Sequence, residues 1–407
     1  MAGRGLISLG FACAVFGPSA VYAQAPLTFE QALTMARERA PRVAVARARI
    51  DEARGRLAGA QVRFRDNPVI DAAAGPRQLE TGAVTDYEFG VSQRFELGNR
   101  RGARIAGAEA GIARETAVSD AAARQIVRDV AVAFVRALQA TARIEILRSA
   151  EAVAKEAFDV ADRRFRAGDI ALLDVNVARG AIARATSLAK AAEAERAAAI
   201  GELKALLAWT DSADPAPVGN LTDRIRAGLD IQTVAVADRP EVQSLVAEAN
   251  EARADIQLGR AFKKPDLGFG FQVKRDEGHQ AVAGVLSIAL PFFNVGQEQV
   301  ATGIAREHRA ELEKSAVMSE LDLRARAARE TFTLRVSAVE PIERDVLPGL
   351  EANERLARRS FEVGELRLLD LLVLRREFVD IRLQYVEALG EAAIASIDWQ
   401  MAAGVLR

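Results

Sequence analysis

The chain has one cysteine, Cys13, in 407 residues. Once Cys13 is assigned to a leader segment (below), no disulfide and no thiolate metal site can be built. Histidine is nearly absent too. His279 falls in an expected loop and His308 on a helix surface, and the two are not at ligand spacing. Neither sign of charge dominates: 55 basic residues face 56 acidic ones, for a net charge of −1. That balance gives no case for nucleic-acid binding, which needs a basic face. Hydrophobic residues make up 50% of the chain, yet no apolar run approaches the ~20 residues of a membrane-crossing helix. No glycine-rich phosphate loop follows a strand and no nucleophile motif occurs. Gly268-Phe269-Gly270 sits within an alternating strand pattern rather than a phosphate cradle. An enzyme reading therefore has no residues to stand on, and no cofactor is implied.

The first 23 residues read as an export signal. Arg4 supplies the positive charge, Leu6–Phe16 a short apolar core, and Gly17-Pro18 a break. Ala23 follows as the small residue before a cut. Cys13 lies inside the apolar core, after Gly10-Phe11-Ala12, in a poor context for lipid attachment.

What the chain does contain is repetition. "RAGDIALLDV" begins at Arg166 and "EVGELRLLDL" at Glu362, 196 residues later. Asn67-Pro68 and Lys264-Pro265 open extended stretches 197 apart. Ser92–Gly98 matches Ala289–Val295 loosely at the same offset, and Asp51–Arg54 has a counterpart in Asn250–Arg253. The expected organisation is two tandem units, residues 24–215 and 225–407, with a linker over 216–224 that overlaps the Pro/Asp-rich seam Asp211–Gly219. The period is too long for a solenoid.

Each unit carries long helices. No proline interrupts residues 100–165, where Val127, Val130, Phe134 and Leu138 keep a three/four spacing. Leu371, Leu374, Phe378, Ile381, Tyr385, Ala388, Ala392, Ala395 and Trp399 form a heptad seam in the last helix. Charges such as Arg376, Glu377 and Asp380 read as a solvated face.

Between the helices lie two pairs of expected strands, about 67–75 with 85–95 and about 265–274 with 281–291. Tyr87, Phe89, Val91 and Phe95 alternate with Asp86, Glu88, Ser92 and Arg94. Phe269 and Phe271 alternate with glycine and glutamine, and Leu286 and Ile288 share a face. Pro68–Gly75 is the weakest strand. Polar turns are expected over Arg77–Gly82 and Arg275–Gln280. Strands of about nine to eleven residues with a single alternation have the dimensions of membrane-crossing β-strands. A half-buried hairpin in a soluble domain gives the same alternation. Four strands cannot close a barrel, and an open edge in lipid strands its backbone groups. If these strands cross a membrane, several chains share one barrel, and three chains give twelve strands. A barrel with an export signal points to a Gram-negative outer membrane.

With these residues in hand, the chain resembles the TolC-like outer-membrane efflux proteins over essentially its whole mature length. The shared features are the two halves, the hairpins after Asn67-Pro68 and Lys264-Pro265, and the phrases around Gly168 and Gly364. Phe95–Ile105 and Leu290–Gln297 are most similar to the branch serving heavy-metal cation pumps, of the cobalt-zinc-cadmium type. The resemblance implies a mainly helical chain with membrane β-structure. A homotrimeric twelve-stranded barrel would continue into a long periplasmic helical barrel. It implies a passive exit duct for heavy-metal cations that meets a periplasmic adaptor and an inner-membrane pump of the resistance-nodulation-division (RND) type. Tyr87, Phe89, Val91, Phe269, Phe271, Leu286 and Ile288 would face lipid. Gly168 and Gly364 would form the periplasmic tip turns, with Phe165 and Phe361 packed beneath them. Leu172-Leu173 and Leu368-Leu369 would start the returning helices with their apolar sides inward.

The resemblance further implies a gate at the tip around Asp174 and Asp370, with Arg367, Arg375 and Arg376 as partners. The sequence departs from drug-exporting members at two places. Val373 stands where those carry a second acid, and Leu366 precedes Arg367 where a basic residue is usual. Two other readings stay open. One keeps the architecture and exports drugs or secreted proteins; the other is an exported coiled-coil scaffold with soluble hairpins.

Overall fold

The computed structural model describes residues 25–79, 82–276 and 279–406. The leader read over residues 1–23 lies outside the described residues. The chain opens with a short strand β1 (Ala25–Thr28) and a helix α1 (Phe29–Arg39). Thr28 closes a capping box on α1. Its hydroxyl accepts the Gln31 N–H at 3.3 Å, and the Gln31 side-chain oxygen accepts the Thr28 N–H at 2.9 Å. Helix α2 (Pro41–Gln61) leads to the hairpin β2 (Val69–Leu79) and β3 (Gly82–Phe95).

Next comes α3 (Arg100–Arg166), 67 residues, a rod about 100 Å long at 1.5 Å per residue. It returns as α4 (Leu172–Leu207), followed by β4 (Pro215–Val218) and α5 (Leu221–Arg226). The same order of elements then recurs: α6 (Pro240–Ala261), the hairpin β5 (Asp266–Asp276) and β6 (His279–Ala289), and a second rod. That rod is α7 (Gln297–Pro341), a five-residue π segment Ile342–Val346, and α8 (Leu347–Glu362). It returns as α9 (Leu368–Ala403). Pro341 has no N–H to give to the turn above it, so the ladder widens at that point.

The four long strands form one antiparallel sheet in the order β2-β3-β5-β6. The hairpins are tighter than the polar composition of their turns suggests. Gln78 pairs with Ala83 and Arg275 with Gln280, so both expected turns are largely strand. His279 is therefore on β6, opposite Asp276, and not in a loop. β6 also ends at Ala289, two residues before the expected boundary. Weak as it reads alone, β2 is held along eleven residues by its pairing with β3.

Residues 216–224, read as a linker, are structured. Ala216–Val218 belong to β4, which pairs in parallel with β1, and Leu221 and Ile225 of α5 are buried in the main core. Prolines 215 and 217 are tolerated because β4 is an edge strand with few N–H donors to supply.

The main core sits at mid-height on the rods. Val130–Val135 of α3 are buried there with Leu33, Leu203, Leu207, Phe332, Ile397 and Trp399. Phe29 meets Phe134 edge to face at 5.5 Å, and the Arg224 guanidinium lies 4.2 Å from the Phe29 ring centre. Above this core α3 runs beside α2 and α6; below it, beside α4 and α9.

One buried cation joins sheet to rods. Arg100, the first residue of α3, is 6% exposed. Its Nη1 lies 2.8 Å from Oδ1 of Asp266, the first residue of β5, and its Nη2 donates to the Lys264 carbonyl at 2.7 Å. The Phe262 ring lies 4.7 Å away. Arg100→Ala leaves Asp266 without its partner and is expected to cost on the order of 3 kcal/mol. Thermal unfolding of the purified protein measures it, and a loss under about 1 kcal/mol would show that the joint is carried elsewhere.

Candidate functional site

Two regions carry residues singled out from the sequence: one face of the sheet and the two turns at the far end of the rods. Paired residues in a sheet share a face. Val91 pairs with Phe271, Phe269 with Leu286, and Ile288 with Leu267. Phe89 pairs with Ala72 and Val273, and Tyr87 with Ala74. Tyr87, Phe89, Val91, Phe269, Phe271, Leu286 and Ile288 therefore all lie on one side of the sheet. Apart from Tyr87, which is half-buried, the chain itself leaves all of them exposed. At the base of this face Phe64, Phe95 and Phe269 stack edge to face at 5.5 and 5.8 Å.

The opposite face is polar. Arg77 and Asp86 form an ion pair at 2.6 Å across β2 and β3, and the Gln272 amide bonds Glu88 across β3 and β5. The sheet is therefore two-sided, with one exposed apolar face and one polar face.

At the other end of the molecule the two turns have one construction. Gly168 and Gly364 both have φ of +84°, the left-handed geometry that glycine adopts without penalty. The Gly168 N–H donates to the Phe165 carbonyl at 2.9 Å and the Asp169 N–H to the Arg164 carbonyl at 2.9 Å. Gly364 to Phe361, at 3.2 Å, and Glu365 to Ser360, at 2.9 Å, repeat the pattern. Both helices end in Schellman caps.

The side chains beneath the caps differ. Phe361 is 9% exposed, packed with Ala161, Ala178, Ala357, Leu368 and Leu371, and covered by the Arg164 guanidinium at 5.0 Å. Phe165, expected to match it, is 39% exposed. Leu368 is buried as expected, but Leu172, Leu173 and Leu369 point outward. A single chain has room for one apolar plug between its two hairpins, and the second-half residues occupy it.

Asp174 and Asp370 both stand in the first turn of a returning helix. Asp174 Oδ2 accepts the Ala171 N–H at 3.3 Å, an ordinary helix-start contact. Asp370 is gripped by Arg367, at 2.8 Å from Nε to Oδ2 and 3.3 Å from Nη2 to Oδ1. That fork raises the Arg367 pKa further above its usual value. Arg375 and Arg376, expected beside the acid, go elsewhere. Arg375 donates to the Val153 carbonyl of α3 at 3.3 Å, and burial pushes its pKa down. Arg376 lies 3.6 Å from Asp380. Of the three arginines, the chain by itself brings only Arg367 to Asp370.

Arg100 is a structural residue that sequence reasoning missed. The first of two adjacent arginines after Gly98-Asn99, it carries no signal that sets it apart from Arg101 until β5 is brought against it. Among the described residues, no group of three His, Cys, Asp or Glu side chains is placed to hold a metal ion. No helix among them is long and apolar enough to cross a membrane.

Long paired helices beneath a sheet with one apolar face define the fold of outer-membrane channel proteins. A structure of CusC shares it, with a TM-score of 0.77 at 16% identity over 92% of this chain and 91% of that one. So does the CmeC outer membrane channel of Campylobacter jejuni, with a TM-score of 0.72 at 14% identity over 93% and 85%. The family model for outer membrane efflux proteins matches residues 32–208 and 233–405, and the chain belongs to that family. It is similar to the cobalt-zinc-cadmium resistance protein CzcC of Cupriavidus metallidurans, 27% identical over 97% of this chain and 98% of that protein. It is also similar to the nickel-cobalt-cadmium resistance protein NccC of Alcaligenes xylosoxydans xylosoxydans, 26% identical over 72% and 67%. Family and fold are those of outer-membrane efflux channels and not of enzymes.

A Cβ at Gly168 or Gly364 would meet no atom within 4 Å, so substitution there costs backbone strain alone. Gly168→Ala and Gly364→Ala are each expected to cost about 1 kcal/mol. Hydrogen exchange at the Asp169 and Glu365 amides should quicken about five-fold. Unchanged exchange would mean that the caps do not hold the tips.

Proposed function

We propose that three copies of this chain close a twelve-stranded barrel in the outer membrane, continuous with a helical tube in the periplasm. The assembly serves as the passive exit duct of a tripartite pump for heavy-metal cations. The observation that carries this reading is the sheet: one face exposed and apolar, and two outer strands, β2 and β6, each paired on one side only. In lipid the open edges need partners, and only closure supplies them all. Four strands are too few to close, whereas twelve from three chains fall within the known range of membrane barrels.

In that setting Tyr87, Phe89, Val91, Phe269, Phe271, Leu286 and Ile288 face lipid, and the face with Asp86, Glu88 and Gln272 lines the lumen. The rods, about 100 Å long, reach across the periplasm toward an adaptor protein and an inner-membrane RND pump, which supplies the energy. The tips around Gly168 and Gly364 are the end that meets them. In the trimer Asp174 and Asp370 ring the tip; Asp174 supplies charge that favours cations, and Asp370 adds to it where the Arg367 fork opens. Support for metal cargo is the near full-length similarity to a cobalt-zinc-cadmium resistance protein. Recognition of the ion falls to the pump, since the channel offers no high-affinity cluster among its described residues.

Phe269→Arg is expected to cost about 2–4 kcal/mol of barrel stability if the residue sits in mid-bilayer, while Gln272→Arg on the other face is tolerated. The ratio of folded to unfolded protein in lipid vesicles across a urea series measures both. Equal effects would remove the assignment of faces. A strain lacking the gene should lose growth on cobalt, zinc or cadmium while tolerating dyes and antibiotics as its parent does. Sensitivity to dyes alone would overturn the metal assignment.

A further inference from the structure

Four connectors join the sheet to the rods: residues 62–68 between α2 and β2, 96–99 between β3 and α3, 262–265 between α6 and β5, and 290–296 between β6 and α7. Their charge is unlike that of the whole chain. With the adjoining helix turns, residues 61–68, 96–104, 260–267 and 290–298 hold eight cations against four carboxylates, in a chain of net charge −1. Two of the four carboxylates are already taken, Asp266 by Arg100 and Glu96 by Arg104, the latter at 2.7 Å. The remaining cations are Arg63, Arg65, Arg101, Arg260, Lys263 and Lys264. All six are exposed, and none has a carboxylate partner among the described residues. Arg101 gives N–H groups to the Gln61 carbonyl at 3.0 and 3.2 Å, which closes the end of α2 and leaves the charge uncompensated. Exposed arginines on the rods, such as Arg54 and Arg326, have an acid within one helical turn.

The same band holds the two most exposed large apolar side chains among the described residues, Phe293 at 94% and Phe292 at 77%. Leu290, exposed as well, keeps the spacing of Leu286 and Ile288 one residue beyond the end of β6, and the two phenylalanines follow it. Beside the other outer strand, Phe64 stacks on Phe95, and Phe95 on Phe269 of the apolar face. Arg63 lies 5.8 Å over the Phe64 ring. A cation thus sits directly on the aromatic that ends the apolar face. Rings at the foot of an apolar wall, with unpaired cations among them, suit the boundary between acyl chains and headgroups. An excess of like charge also repels itself and favours an anion. That anion has to stand beside apolar surface and at several places around the chain, and a phospholipid phosphate does both.

We propose that these six cations form a collar that holds the phosphates of anionic phospholipids, of the phosphatidylglycerol type, in the membrane leaflet nearest the rods. Phe64, Phe292 and Phe293 lie at the level where the acyl chains begin. The proposal rests on the lipid-facing reading of the sheet given above and adds the class of lipid. A zwitterionic headgroup brings its own ammonium against the collar, whereas an anionic one does not. Each basic side chain near an anionic surface is worth roughly a five-fold factor in binding. The collar also fixes the height of the chain, because cations below the rings resist being drawn into the hydrocarbon.

The test reads lipid at two heights with brominated phospholipids, which quench tryptophan on contact. The full chain carries either Phe292→Trp, at the collar, or Phe271→Trp, five residues along β5 from Asp266, in vesicles of phosphatidylcholine or phosphatidylglycerol. The native Trp209 and Trp399 lie in the mid-height core and give a constant background. At Phe292→Trp the binding constant for phosphatidylglycerol is expected to exceed that for phosphatidylcholine by about five-fold or more; at Phe271→Trp the two should agree within about two-fold. Adding Arg63→Gln, Arg65→Gln and Lys263→Gln should bring the collar ratio below about two while quenching at Phe271→Trp stays unchanged, the sign that the variant still enters the bilayer. Where that variant does not insert, the same loss is read on the unaltered collar in about 0.5 M sodium chloride, which screens the charges. A preference that survives both changes removes these cations from the site. Equal constants at Phe292→Trp overturn the collar and leave the lipid-facing sheet standing. So does quenching at Phe271→Trp alone, the result expected if a partner protein or another copy covers the connectors. No quenching at either height overturns both readings. Inorganic phosphate at about 10 mM, set against sodium chloride of equal ionic strength, should leave the preference in place. Its loss would mark a site for the free ion and overturn the lipid assignment.

Discussion

The outer edges of β2 and β6 carry the constraint on which the rest of the structure depends. β3 and β5 have neighbours on both sides, but the outward N–H and C=O groups of β2 and β6 have no strand partner among the described residues. In water those groups would be solvated. In the proposed lipid setting, beside a face bearing Phe89, Phe269, Phe271, Leu286 and Ile288, they would meet an apolar medium that offers no hydrogen bonds, and the proposed closure with strands of other copies pairs them.

Below the sheet, the main core around Phe134, Leu203 and Trp399 holds the rods at mid-height, with β1, β4, α1 and α5 packed about it. Arg100 and Asp266 fix the upper joint, where a buried charge pair sets the angle between strand and helix. The Schellman caps at Gly168 and Gly364 fix the lower one.

The tips show how similar phrases acquire different roles. The two caps share the same pair of Schellman bonds, because a left-handed glycine and the carbonyls behind it need only local sequence. Phe165 and Phe361 do not match, because burial depends on what stands opposite. The plug between the hairpins is filled by Phe361 and Leu368, which leaves Phe165, Leu172 and Leu173 outside. The same logic separates Asp370, which has Arg367 three residues before it, from Asp174, which has an alanine there.

By itself the sequence determined what is periodic or local: the long helices, the alternation that puts seven named residues on one sheet face, and the glycine turns. Each of these follows from backbone geometry repeated over neighbouring residues, so it can be read without knowing the fold. Tertiary structure alone decided the rest. It extended the hairpins through their polar ends by cross-strand pairing and turned residues 216–224 from expected linker into strand and helix. It sent Arg375 to a backbone carbonyl and away from Asp370, and it brought Arg100 onto Asp266 across 166 residues of chain. Those outcomes depend on which surfaces meet, and contacts between distant segments leave no periodic trace in the order of residues.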